Sequence, residues 1–202
     1  MLQLGVPLAS IVLAALSGWL AAKLSGLPIS NRWRQGLVVI PPLLDVALLW
    51  AGLSPLLCMA IAGGLSFAAS ALVLDWNEGS ISDGQSLGVA AFGLVSAPLL
   101  HPHATWMIAL GGAGLAAAVL ALANLVVLAR TRRSGLGSGD YGLAAAGGLW
   151  CGLGAVGPAL LVAVVITVLL KLLGKDDEKG RLPFAPGLVV GFTGASVVGG
   201  IT

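Results

Sequence analysis

Hydrophobic positions run along this chain in long unbroken stretches, and charged positions come in short bursts between them. Residues 1–22, 46–74, 84–129, 141–170 and 182–202 contain no Asp, Glu, Lys or Arg. A membrane-spanning helix needs about 20 apolar residues. Inside lipid, backbone polar groups must bond to one another, so these runs are expected to be helices. The pattern predicts spans at about 3–22, 36–53, 55–74, 86–100, 105–129, 141–155, 157–173 and 185–201.

The run 141–170 is the ambiguous one. As a single helix it would be about 45 Å long, against a hydrocarbon core of roughly 30 Å. Gly154-Ala155-Val156-Gly157-Pro158 lies near its middle, and Gly with Pro punctuates helices. Two short passes are expected. Charge supports that choice. Lys23, Arg32 and Arg34 form one basic loop, Arg130, Arg132 and Arg133 a second, and Lys171, Lys175, Lys179 and Arg181 a third. Eight spans put all three loops on one side, which is cytoplasmic by the positive-inside rule, and both termini outside. Lys23 follows the first apolar run instead of preceding it, the reverse of a signal peptide, so 3–22 reads as a retained span. Trp19, Trp33, Trp50, Trp76 and Trp106 lie near span ends, as an interfacial belt would.

Composition agrees. The 202 residues are 58% hydrophobic and 9% charged, where a soluble domain has about a quarter charged. That excludes a soluble enzyme, a nucleic-acid binder and a disordered chain. The formal net charge of +2 implies no nucleic-acid partner. The surroundings are a lipid bilayer, and the chain reads as one integral membrane domain, 1–202, an all-α bundle of about eight spans. Cys58 and Cys151 lack metal-ligand spacing and read as small buried hydrophobes. No metal and no cofactor is expected. The Gly63-Gly64, Gly111-Gly112, Gly147-Gly148 and Gly199-Gly200 pairs suit close helix packing.

Eight acidic residues remain as candidate chemistry. Asp176, Asp177 and Glu178 belong to a mixed-charge loop. Asp45 lies inside the second span after Pro41-Pro42, a depth at which an acid is a functional candidate. Asp75 ends the third span, Asp83 follows at the edge of the fourth, and Asp140 opens the sixth after Gly135, Gly137 and Gly139. The topology puts Asp75 and Asp140 at one membrane face. Two close carboxylates can share a proton, one acting as a base toward water while the other donates to a carbonyl oxygen. Taken singly, Asp140 and Asp83 read equally as helix caps and Asp75 as a solvated residue.

Three segments together resemble a known family. GLGSGDYGLAAAGGLWCGLGAVGPALL is similar to the GxGD block of the type IV prepilin peptidases. VLDWNEGSISDGQSLG resembles their first aspartate block and keeps its spacing at Asp75 and Asp83, and RLPFAPGLVVG resembles the entrance to their last span. The resemblance implies a GxGD-type membrane aspartic protease with its core at about 40–150. Such an enzyme cuts the basic leader of prepilins or pseudopilins beside their hydrophobic N-terminal helix. It implies Asp75 and Asp140 as the catalytic pair, Gly137 and Gly139 as a flexible approach to the second, and Asp83 as a supporting residue. It also implies a bacterial inner-membrane location. Gly142 stands where the family pattern has Lys and Ser82 where it has Pro. The loop at 23–35 has no cysteine, so a zinc-bearing domain and N-methyl transfer are not expected. Two other readings stay open: a small transporter or channel component using Asp45, and a noncatalytic partner in pilus or secretion assembly.

Overall fold

The computed structural model describes residues 5–24, 31–50, 52–78, 81–100, 105–132, 134, 136–173 and 184–199. They form seven helices: α1 (Gly5–Leu24), α2 (Asn31–Trp50), α3 (Pro55–Glu78), α4 (Asp83–Leu100), α5 (Thr105–Thr131), α6 (Ser138–Leu172) and α7 (Ala185–Gly199). No strand occurs among the described residues. Pro55–Trp76, Trp106–Thr131 and Ser138–Leu172 are long and apolar enough to cross a bilayer, and Val12–Ala21, Val39–Trp50 and Ala185–Ala195 are shorter apolar segments. Trp50, Trp76 and Trp106 are exposed close to helix ends, where an amphipathic ring meets the headgroup layer. Gly200, like the Asp176–Glu178 loop, lies outside the described residues.

Local sequence sets the turn between α2 and α3. Gly52 takes φ +87°. The N–H of Gly52 donates to Leu49 O at 3.0 Å and that of Leu53 to Leu48 O at 3.2 Å, the paired bonds that close a helix through a left-handed residue. Ser54 then caps α3: its Oγ accepts from Leu57 N–H at 3.4 Å. Pro55 fills the first helical position, where a missing N–H costs nothing.

The two passes expected at 141–155 and 157–173 are one 35-residue element, α6, interrupted at Gly152 (φ 68°, ψ 173°). The break comes before the expected Gly154–Pro158 stretch, and Pro158 lies inside the second half. Contacts with α7 give the direction of each half. A Cβ on Gly187 would meet Ala163 O at 2.4 Å, and one on Gly191 would meet Ala159 O at 2.2 Å, so the second half runs antiparallel to α7. The first half runs with α7: a Cβ on Gly147 would meet the Phe192 ring at 2.4 Å, and at the opposite end Ala185 bonds to Asp75 and Asp140 is near enough to Asp75 for their charges to interact. The chain therefore turns back at Gly152. Only glycine holds that φ/ψ pair without strain of about 1–3 kcal/mol. Gly152→Ala is expected to lower the unfolding free energy by about that amount, read from the unfolding midpoint in detergent.

The core is built of small residues. Ala14, Ala60, Ala71, Ala116, Ala144 and Ala163 are fully buried. At the tightest crossing, a Cβ on Gly112 of α5 would lie 2.3 Å from Gly148 O of α6. In lipid, such backbone proximity supplies the dispersion contacts that the hydrophobic effect supplies in water. Gly63 and Gly64 seat the rings of Phe92 and Trp150. The Trp150 indole N–H donates to Val89 O at 3.0 Å, pinning α6 to α4. Cys58 and Cys151 are free and buried, as expected.

Candidate active site

Asp75 lies one turn before the end of α3 and Asp140 in the first turn of α6. Both are buried, at 7% and 9% exposure. They belong to different helices at the same end of the bundle, close enough for the charge of one to act on the other. Burial of two such carboxylates is costly unless each is bonded. Asp75 Oδ2 accepts from the N–H of Ala185 at 2.9 Å. Ala185 is the first residue of α7, so the carboxylate takes up one of the N–H groups that a helix start leaves without a partner. Asp75 is thus neither a solvated residue nor a cap of its own helix.

Asp140 Oδ2 accepts from Gly137 N–H at 2.9 Å. Gly137 is the N-cap of α6 and Asp140 the third residue of the helix, so its side chain reaches back like the acid of a capping box. The two glycines before it do different things. Gly137 has φ −78° and ψ 159°, ordinary extended backbone. Gly139 is a site of close approach: a Cβ there would lie 2.5 Å from Ile81 O. The first turn of α6 is pressed against the start of α4, with the Ser86 hydroxyl donating to Gly139 O at 3.5 Å. A Cβ on Gly142 would meet Ser86 at 3.1 Å, so the residue standing where the family pattern has Lys adjoins a neighbour with little space to spare.

Asn124 of α5 holds the approach to this turn. Its Oδ1 accepts from Leu136 N–H at 3.3 Å, and the Ser134 hydroxyl donates to Leu136 O at 2.7 Å. Asn124 is a polar residue in an otherwise apolar run, and nothing in its spacing links it to residue 136. Asn124→Leu is expected to speed hydrogen exchange at the Leu136 N–H about tenfold, as one lost hydrogen bond would. Mass spectrometry of the protein in nanodiscs checks it.

Asp83 is exposed at the first position of α4, a place where a negative charge favours the helix. Asp45 is fully buried in α2 beside Cys58. Asp75 is seventeen positions further along α3 than Cys58, about 25 Å of helix, so Asp45 is remote from the acidic pair. A cavity of about 670 Å³ with almost wholly apolar walls lies between the helices. Leu53, Leu57 and Leu100 line one end, and Ala68, Val89, Leu143 and Leu188 line the end nearer the aspartates. Leu44 and Leu48 line it too, whereas Asp45 does not, unlike an ion site in a conduction path.

Fold and site together define a helical membrane protein with a buried acidic pair at one end of the bundle, above an apolar cavity. The model of the type IV leader peptidase family matches residues 62–172, more than half of the chain and inclusive of both aspartates. The chain belongs to that family, a family of peptidases. Searches of curated proteins and of solved structures gave no match.

Proposed function

We propose that this chain is an aspartic-type endopeptidase that removes the leader of prepilin-like proteins at the cytoplasmic face of a bacterial inner membrane. In this reading the chain crosses the membrane eight times, α6 supplying two passes, with both termini outside. The observation that carries it is the buried Asp75–Asp140 pair on two different helices. One carboxylate, ionised, takes a proton from water as the water oxygen attacks the scissile carbonyl carbon. The other, protonated, donates to the carbonyl oxygen. Collapse of the resulting diol breaks the C–N bond and sends a proton to the leaving nitrogen. No metal is needed for this sequence of steps.

The cavity supports the choice of substrate. A prepilin joins a short basic leader to a hydrophobic helix, and a peptide bond inside a helix hides its carbonyl in hydrogen bonds. Cleavage where the helix begins needs an acidic pair at the membrane edge and apolar walls deeper down. Asp75 and Asp140 lie toward the end of the cavity lined by Ala68, Leu143 and Leu188, which supports this reading. The test is co-expression of a prepilin with the wild-type chain, followed by sequencing of the new N-terminus. Cleavage directly before the hydrophobic segment is expected. An uncut prepilin in the presence of well-folded wild-type protein would refute the proposal.

A further inference from the structure

Gln85, in the first turn of α4, is fully buried. Its Oε1 accepts from the Ser82 hydroxyl. Its Nε2 is buried and has no hydrogen-bond partner among the described residues. Ser82 precedes the helix and its carbonyl accepts from Gln85 N–H at 3.2 Å, so Ser82-x-x-Gln85 has the spacing of a capping box. A capping box uses only the acceptor oxygen, and a Glu serves it as well. Capping leaves the amide nitrogen unexplained, and a buried donor without an acceptor is a costly group to keep.

The position of Gln85 supplies an explanation. Its neighbour Ser86 touches Gly139 and Gly142 of α6, and Gly88, one turn on, lies against Phe67 of α3. Gln85 therefore stands where α4 meets both helices that carry the aspartates. Val89, Leu143 and Leu188 line the near end of the cavity. Gln85, Asp140 and Ala185 each precede one of these by a single helical turn, and all three helices start at this end. By helix register Gln85, Asp140 and the Asp75–Ala185 bond thus form one layer at this end of the bundle, one turn beyond the cavity walls, which do not include them.

We infer that Gln85 is a substrate-binding residue whose Nε2–H donates to a backbone carbonyl of an extended peptide lying across Asp75 and Asp140. A peptide drawn into this layer has lost both water and helical partners, and its carbonyls need donors. The inference rests on the peptidase reading. It assigns Gln85 to holding the chain on one side of the scissile bond, not to the chemistry.

The test uses full-length protein in nanodiscs and a prepilin, with Gln85→Leu and Gln85→Glu assayed beside Asp140→Asn. Both Gln85 variants lose the amide donor, with the assay run at alkaline pH so that Glu is ionised and accepts only, and Glu keeps the acceptor for Ser82. The expected result is a KM raised about tenfold in both, the cost of one hydrogen bond, with kcat within about twofold, because the contact is made equally in ground and transition states. A wild-type KM in Gln85→Glu together with a lower unfolding temperature in Gln85→Leu would mean a cap only, and overturns the inference. So does a raised KM in Glu alone, which is a charge effect, or a loss confined to kcat. Cleavage that persists in Asp140→Asn refutes the peptidase dyad instead, so the two failures are distinct.

Discussion

Asp75→Asn and Asp140→Asn are each expected to reduce prepilin cleavage by about 10³-fold or more, with little change in folding. The magnitude is that of removing a positioned acid or base. An amide can neither take a proton from water nor give one to a carbonyl in this cycle. The near-neutral effect on folding follows from the bonds each carboxylate accepts. Asn retains an acceptor oxygen for Ala185 N–H at position 75 and for Gly137 N–H at position 140. Where the carboxylate replaced is the ionised one, what is lost is a charge near a helix start, about 0.3–1 kcal/mol. The double variant is expected to be no worse than either single one, because the two groups act as a unit. The measurement is kcat/KM on a prepilin, alongside the unfolding midpoint of each variant. Activity within tenfold of wild type in either would sink the dyad. A noncatalytic assembly role predicts pilus formation that survives both substitutions.

Gly139→Val is expected to cost about 10²-fold in kcat/KM, the effect of roughly 1 Å of misplacement in a catalytic group. The new Cβ would press on the backbone and Cβ of Ile81, at 2.5 and 2.7 Å. Neither atom is the end of a flexible side chain, so the first turn of α6 has to move, and Asp140 moves with it. Gly137→Ala, two residues away, is expected to cost no more than about threefold. Its φ suits any residue, and its new Cβ would sit 3.6 Å from Asp140 Oδ2, an ordinary contact. Equal losses in both would show that chain flexibility before Asp140, not close approach, is what the glycines provide.

The contrast between those glycines marks how far the sequence can be read. Gly137 and Gly139 look alike in a G-x-G-D string, and freedom of the backbone is the natural inference. Their difference lies in Ile81, more than fifty residues earlier, which no local pattern reveals. Helix positions were legible, because a charge-free run of suitable length has few other uses in lipid. The reversal within 141–170 was legible from length and loop charge, whereas its position was not: the Gly154–Pro158 stretch carries the stronger local signal, but Gly152 takes the non-helical φ/ψ. The placing of Asp75 and Asp140 at one end followed from topology. The bond from Ala185 to Asp75 joins residues 110 apart, and the donor is a backbone N–H that any residue except Pro would supply. Gln85 shows a capping-box spacing in the sequence, but its buried nitrogen is visible only in three dimensions.

That bond also bears on when the site comes into being. Synthesis delivers Asp75 early and Asp140 later, yet the N–H that holds Asp75 belongs to α7, as do Leu188 and Phe192 of the cavity wall. A nascent chain that has emerged only as far as α6 has both acids and half a cavity, with one acid lacking its α7 donor. Among the described helices α7 therefore works as a keystone. On the proposed reading, Asp75 gains this donor only after the six preceding helices have been made, so the acidic pair is incomplete until α7 docks.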